Sequence, residues 1–228
     1  MSSILKTDAL CRNYTNGKSE ISVLKNIHIT VDPGEFVSIM GPSGCGKSTL
    51  LYLLGGIDTP TSGRVFLHQE DMNKMDDKKK SLIRRQSIGF VFQFYNLVQN
   101  LTVEENIMLP VTMDGKKVKD YQTTLEETLD IVGLTERRTF TPRELSGGQQ
   151  QRVAIARAII LSPTLILADE PVGNLDSTSG KDVMHLFKKI NEEKGITIIQ
   201  VTHSEEYANM GKRVIQMKDG IIEADYSL

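Results

Sequence analysis

The feature that most constrains this chain is the octapeptide Gly41-Pro42-Ser43-Gly44-Cys45-Gly46-Lys47-Ser48, which fits G-x-x-x-x-G-K-[ST] without a mismatch. Its glycines let backbone N–H groups close around phosphate oxygens where side chains would clash. The apolar run 35–40 (EFVSIM) before it reads as a buried strand, and 47–55 after it reads as a helix. That helix would point its positive end at the same anion. Gly41, Ser43, Gly44, Cys45, Gly46, Lys47, Ser48 and Thr49 are therefore the candidate nucleotide-binding residues. Lys47 is placed to reach the β- and γ-phosphates, and the Ser48 hydroxyl to ligate magnesium.

This loop defines the broad class of P-loop NTPases and no more. The second half narrows it. Leu165-Ile166-Leu167-Ala168-Asp169-Glu170 is a buried-strand run ending in two carboxylates. An acidic pair at a strand end also serves simply to cap the next element. With the phosphate loop present, the favoured reading puts Asp169 beside the magnesium and lets Glu170 orient or deprotonate the attacking water.

Alternating strand-like and helical segments predict βαβ units and a parallel sheet. The strands are 164–168 and 196–201, with a helix over 177–193 between them. Residues 21–31 and 63–68 instead alternate apolar and polar positions, as a half-exposed antiparallel sheet does. Asp219-Gly220, between 214–217 and 221–224, marks a hairpin. Between 94 and 161 the spacing is mainly helical, for example Leu125, Leu129 and Val132. The expected organisation is one domain, 1–228, with an α/β core over about 1–93 and 162–228 and a helical subdomain over about 94–161.

Among 228 residues the formal charge is only -2, which gives no electrostatic footprint for nucleic acid. The most apolar stretch, 153–168, is interrupted by Arg157, Ser162 and Pro163, so no membrane span is expected. Cys11 and Cys45 suggest no disulfide framework, and 39% apolar and 25% charged residues are ordinary globular values. A cytoplasmic protein that reaches a membrane only through a partner is expected.

Leu145-Ser146-Gly147-Gly148-Gln149 opens a further helix and forms a second anion site of hydroxyl and free N–H groups. Two phosphate-binding helix ends in one chain make sense when they face each other across a dimer. Here the sequence resembles the ABC ATPase family, whose signature is this LSGGQ, and the resemblance covers essentially the whole chain. It implies a RecA-like core with an N-terminal antiparallel β subdomain and an inserted α-helical subdomain. ATP and Mg2+ would be sandwiched in a homodimer, with Ser146, Gly147, Gly148 and Gln149 of one subunit closing over the cradle of the other.

By the same resemblance Tyr14 stacks on adenine, and Gln93, after the strand 88–92, is the glutamine that senses magnesium and water. Asn174-Leu175-Asp176 matches the loop that crosses the dimer interface, His203 the histidine that contacts the γ-phosphate, and Pro142 a proline-loop. A polar residue after a strand, or one tyrosine near an N-terminus, also has ordinary packing and surface uses. Glu170, His203, Gln93 and Lys47 form the expected catalytic set; Ser48, Gln93 and Asp169 form the expected metal set.

Residues 55–63 and the runs 92–97 and 101–106 resemble the MacB/LolD/BceA-like branch of macrolide-efflux, lipoprotein-release and bacitracin-resistance ATPases. That branch implies a separate permease with a large extracytoplasmic domain, and a seat on the inner face of the cell membrane. Tyr95-Asn96-Leu97 inclines toward its antimicrobial-peptide members. An FtsE-like division ATPase is the alternative, and a soluble ABC protein of translation or repair a third reading. Val172 stands where the branch has threonine, which predicts a missing local hydrogen bond. Cys45 stands where serine or alanine is commoner, and its thiol is expected to react with thiol reagents unless ATP protects it.

Overall fold

The computed structural model describes residues 3–17 and 19–228. In chain order, β1 (Leu5–Asn16), β2 (Ser19–Ile27) and β3 (Thr30–Val31) lead into β4 (Phe36–Met40) and α1 (Lys47–Leu54). Strands β5 (Ser62–Leu67) and β6 (Glu70–Asp71), α2 (Asp77–Gln86) and β7 (Ile88–Phe92) follow. The helices α3 (Val103–Met113), α4 (Gln122–Val132) and α5 (Gly147–Ile159) then fill the stretch read as helical. The chain finishes with β8 (Leu165–Asp169), α6 (Ser177–Lys194), β9 (Thr197–Thr202), α7 (Glu205–Ala208), β10 (Arg213–Lys218) and β11 (Ile221–Ser227).

The apolar content of each strand sets its place. β8 and β9 are buried at every position, as strands of a parallel sheet covered on both faces must be. They lie in a six-stranded sheet of order β11-β10-β4-β9-β8-β7, in which only β11 runs antiparallel. Strands β1, β2, β3, β5 and β6 form a separate antiparallel sheet, and β2, expected to alternate, instead buries only Leu24 and Ile27, because bulges in its partner β1 shift the register there.

The period-2 alternation of the parallel strands divides the core. Ile166, Ala168 and Ile198 pack toward the cluster that holds the buried faces of α3, α4, α5 and α6. Leu165, Leu167, Ile199 and Val201 pack toward the other cluster, shared with α1 and the antiparallel sheet. Parallel register carries the ends of four strands to one edge: Met40 pairs with Thr202, Val201 with Asp169, and Asp169 with Phe92. The segments leaving that edge begin with Gly41, His203, Glu170 and Gln93, although these residues lie far apart in the sequence. Carboxyl ends of parallel strands are where open α/β sheets bind ligands.

Strands β1 and β6 and helices α2 and α7 have no counterpart in the sequence reading. β1 carries bulges between Leu10 and Asn13, and Ala9 is at φ 47°, which breaks its alternation. α2 buries none of its residues and so has no apolar stripe to read.

Candidate active site

The cradle is built by close backbone approach. Gly41 sits at φ 154°, and a Cβ there would lie 2.1 Å from the Met217 carbonyl oxygen. Gly46, the N-cap of α1, is at φ 103°, and its Cβ would meet Leu24 Cδ2 at 2.8 Å. Between them Ser43 and Gly44 are exposed, and a Cβ at Gly44 would touch nothing within 4 Å, so the loop opens outward there. Lys47 is only 6% exposed, and its Nζ donates to the carbonyls of Gly41 (2.8 Å) and Pro42 (2.9 Å). The ammonium therefore braces the loop from inside. Ser48 and Thr49 are half-buried at the start of α1.

Cys45 is buried. The residue is 6% exposed and packs into the apolar cluster beneath the loop. Val172 is also buried, packed in the helical-side core, an environment that suits a methyl group where threonine would place a hydroxyl.

Ser48 Oγ donates to Asp169 Oδ1 at 2.8 Å. The hydroxyl of Tyr52, which sequence reading did not single out, donates to Asp169 Oδ2 at 2.7 Å. Burial, and then the neighbouring carboxylate, push the Tyr52 hydroxyl up to about 12, so it remains a proton donor. Among the described residues no cluster of three His, Cys, Asp or Glu side chains could hold a metal unaided. The hydroxyl and carboxylate present are hard oxygen ligands that suit Mg2+, which keeps several waters and takes further oxygens from phosphates.

Glu170 follows directly at the end of β8, at φ 45°, with its N–H donating to the Val201 carbonyl at 3.0 Å. Its Oε2 lies 3.1 Å from His203 Nδ1; the carboxylate is 23% exposed and the imidazole 62%. Gln93 and Asn174 exchange bonds: Gln93 Nε2 donates to Asn174 Oδ1, and Asn174 Nδ2 to the Gln93 carbonyl, both at 3.1 Å. Gly173 is the gap between these groups, since a Cβ there would lie 2.9 Å from Gln93 Nε2 and 3.3 Å from Glu170 Oε2. The fold thus brings Lys47, Ser48, Asp169, Glu170, His203 and Gln93 to one edge.

Tyr14 stands on the neighbouring sheet, 40% exposed. The Arg12 guanidinium covers its ring at 4.3 Å, and the hydroxyl donates to Asp58 Oδ2 at 2.7 Å. Arg12 closes the triangle by donating to Asp58 Oδ1 at 2.8 Å. The ring is therefore a fixed aromatic surface on the β1–β2 hairpin, whose second strand packs on Gly46.

The second anion-binding helix end is formed by α5. Ser146 caps it, accepting from the Gln149 N–H at 3.3 Å while its own N–H donates to Gln149 Oε1 at 2.9 Å. A Cβ on Gly147 would press on the Tyr95 hydroxyl at 2.9 Å, and one on Gly148 on Ser179 at 3.0 Å. Arg157, further along α5, donates to the Tyr95 and Asn96 carbonyls at 2.8 and 2.6 Å. Both residues have positive φ, and burial lowers Arg157 from its ordinary value. Among the described residues no hydrogen bond or ion pair joins Ser146, Gly147, Gly148 or Gln149 to the cradle.

A phosphate cradle, a hydroxyl–carboxylate pair and a carboxylate–imidazole pair on one sheet edge, with a separate signature helix, define a nucleotide-hydrolysing cassette. Comparison with known proteins agrees. Residues 24–173 match the family model described as ABC transporter. The chain is 44% identical over 225 residues to the lipoprotein-releasing system ATP-binding protein LolD of Geobacter metallireducens, covering 99% of this chain and 100% of that protein. It is 46% identical over 209 residues to an uncharacterized ABC transporter ATP-binding protein, MJ1508, of Methanocaldococcus jannaschii, covering 92% and 93% of the two chains. Among solved structures, a dimeric post-hydrolysis state of the ATP-binding cassette MJ0796 bound to ADP and Pi superposes with a TM-score of 0.90, at 43% identity over 98% of both chains. The cbiO1 protein of Clostridium perfringens, part of the transporter complex cbiONQ, gives 0.89 at 30% identity, over 100% of this chain and 89% of that one. The chain belongs to the ABC transporter ATP-binding family. It is an ATPase that uses ATP with Mg2+.

Proposed function

We propose that the chain is the ATPase subunit of a transporter in the lipoprotein-release, macrolide-efflux and antimicrobial-peptide-resistance branch. Two copies sandwich two ATP molecules and drive a separate permease with a large extracytoplasmic domain, from the inner face of the membrane. The similarity to LolD along the full length supports the branch, and the dimeric form of MJ0796 supports the sandwich. Among the described residues no helix is long and apolar enough to cross a membrane.

The observation that carries the reading is a groove of about 420 Å³ beside Gln93, lined by Phe90, Phe92, Leu109, Pro110 and Met113 and edged by Arg84, Arg85 and Arg157. Met113 is 70% exposed, and Phe94, next to Gln93, is 74% exposed. An apolar floor with a cationic rim suits a short amphipathic segment of a permease. Through Arg157 the same groove touches the signature helix, and Phe92 of its lining immediately precedes Gln93, which is bonded to Asn174 in the loop after Glu170.

In the proposed reaction Lys47 and the cradle N–H groups hold the β- and γ-phosphates, and Tyr14 receives the adenine. Ser48 and Asp169, with Gln93, would hold the magnesium, which when bound would neutralise charge on the phosphate oxygens. Glu170 orients or deprotonates water, and His203 positions Glu170 and faces the γ-phosphate. Ser146, Gly147 and Gly148 of the second copy donate to the developing charge, and Gln149 closes the cap that orients them.

The test is to purify a tagged Glu170→Gln form from its native membranes and identify its partners by mass spectrometry. A permease with a large extracytoplasmic domain is expected. A division-type partner, or soluble proteins only, would overturn the transport assignment and leave the ATPase chemistry standing.

A further inference from the structure

Tyr52 has no part in the mechanism above, yet it bonds the carboxylate at its centre. Asp169 is 9% exposed, and each of its oxygens receives a hydroxyl: Oδ1 that of Ser48 and Oδ2 that of Tyr52. Ser48 and Tyr52 are four residues apart on α1, one helical turn, so both reach the carboxylate from the same face. A serine hydroxyl can give its hydrogen to a carboxylate and still offer a lone pair to a cation. The phenol instead occupies the far oxygen and fixes the carboxylate's rotation.

Cations differ in what they ask of a carboxylate. Ca2+ takes six to eight oxygens in flexible geometry and accepts both oxygens of one carboxylate, whereas Mg2+ demands an octahedron and keeps its waters. A carboxylate oxygen keeps a second lone pair after accepting one hydrogen bond. A cation chelated by both oxygens of Asp169 would nonetheless share Oδ2 with the phenol's hydrogen, whereas at Oδ1 the Ser48 hydroxyl can itself turn a lone pair to the cation.

We propose that Tyr52 is a positioning residue that sets the cation specificity of the site, favouring Mg2+ over Ca2+ by fixing the carboxylate's rotation and competing with the cation for the second oxygen of Asp169. The proposal rests on the reading that Ser48 and Asp169 hold the magnesium. It assigns to α1 a specificity role separate from its role in carrying the cradle lysine.

The experiment uses protein in excess over ATP, in the Glu170→Gln background so that ATP persists. Bound Mn2+ is followed by electron paramagnetic resonance and competed with Mg2+ or Ca2+. Removing an outer partner of a metal-site ligand typically changes affinity by 10–100-fold. Tyr52→Phe is therefore expected to shift the ratio of Ca2+ to Mg2+ affinity by roughly 10-fold in favour of Ca2+. An unchanged ratio, including one in which both affinities fall together, overturns the proposal, because mere loosening of the site would not discriminate between the ions. If Tyr52→Phe does not fold, Tyr52→Leu, which also lacks the donor, is read the same way. Ser48→Ala separates the two layers: unaltered Mn2+ affinity in that variant shows that the cation sits elsewhere, and the reading beneath the proposal fails first.

Discussion

His203 Nδ1 lies 3.1 Å from Glu170 Oε2, and the two residues leave adjacent parallel strands at the same edge. The contact joins the group proposed to activate water to the group proposed to contact the γ-phosphate. Glu170 also holds a left-handed backbone at φ 45°, a conformation that costs a non-glycine residue about 1–3 kcal/mol. Such strain persists where surrounding bonds over-determine it, here the Glu170 N–H to Val201 and the Gly173 N–H to the Glu170 carbonyl.

Glu170→Gln keeps the side chain's length and removes its basicity. Hydrolysis is expected to fall by about 10²–10⁴-fold, the usual contribution of a positioned base, with ATP binding retained. The variant should accumulate as an ATP-bound dimer. Light scattering that finds only monomer at saturating Mg-ATP would remove the sandwich mechanism.

Lys47→Ala tests whether the buried ammonium serves the ligand, the loop or both. Hydrogen bonds to charged groups contribute about 1.5–3 kcal/mol, and Nζ makes two to loop carbonyls before any nucleotide arrives. Nucleotide affinity and turnover are expected to fall together, and the nucleotide-free melting temperature to drop as well. Wild-type affinity and turnover would rule out the cradle assignment, while an unchanged melting temperature would limit the lysine to the ligand.

Much of this edge was legible because its chemistry is local. The loop 41–48, the Asp169-Glu170 pair and the LSGGQ run are contiguous, and uninterrupted apolar strands announce a parallel sheet. Tyr52 was not legible: one aromatic residue in an apolar helix looks like core until the fold sets it beside Asp169, 117 positions away. Arg12 and Asp58, which pin Tyr14, are likewise separated by 46 positions. Helix α2 left no trace because none of its residues is fully buried and Ile83 alone of its apolar residues packs on the core cluster, and the burial of Cys45 depends on packing that the loop sequence does not encode.

The signature helix supplies a steric prediction. A methyl on Gly148 would meet the Cβ and Oγ of Ser179 at 3.0 Å and so push α5 away from the first turn of α6. Gly148→Ala is expected to bind ATP as a monomer yet lose ATP-driven dimerisation and most of its turnover. Removing the opposing side chain should relieve the clash, so Gly148→Ala with Ser179→Gly should regain dimer. The added glycine costs about 0.5–1 kcal/mol of helix stability, readable as a slightly lower melting temperature. Failure of the double variant to recover would mean that the glycine is needed for contact with the nucleotide rather than for packing.

Acid stability can be predicted from Asp114, the C-cap of α3, whose side chain is 3% exposed. Hydrogen bonding from Gln86, and then from Lys116 and Arg85, holds its carboxyl below the ordinary value of 3.8. The bonds from Arg85 and Gln86 tie α2 to α3 at one end of the groove that carries the permease reading. A carboxyl depressed in the folded state binds its proton more readily when unfolded, so folding gains stability from it above pH 3.8. That gain is lost as the pH falls from about 4 through the lower folded value. Asp114→Asn should therefore be less stable than the parent at pH 7 in urea denaturation, and the gap should close below about pH 4. A gap that stays constant across that range would show that the charge of Asp114 contributes nothing and that the amide's shape alone accounts for the difference.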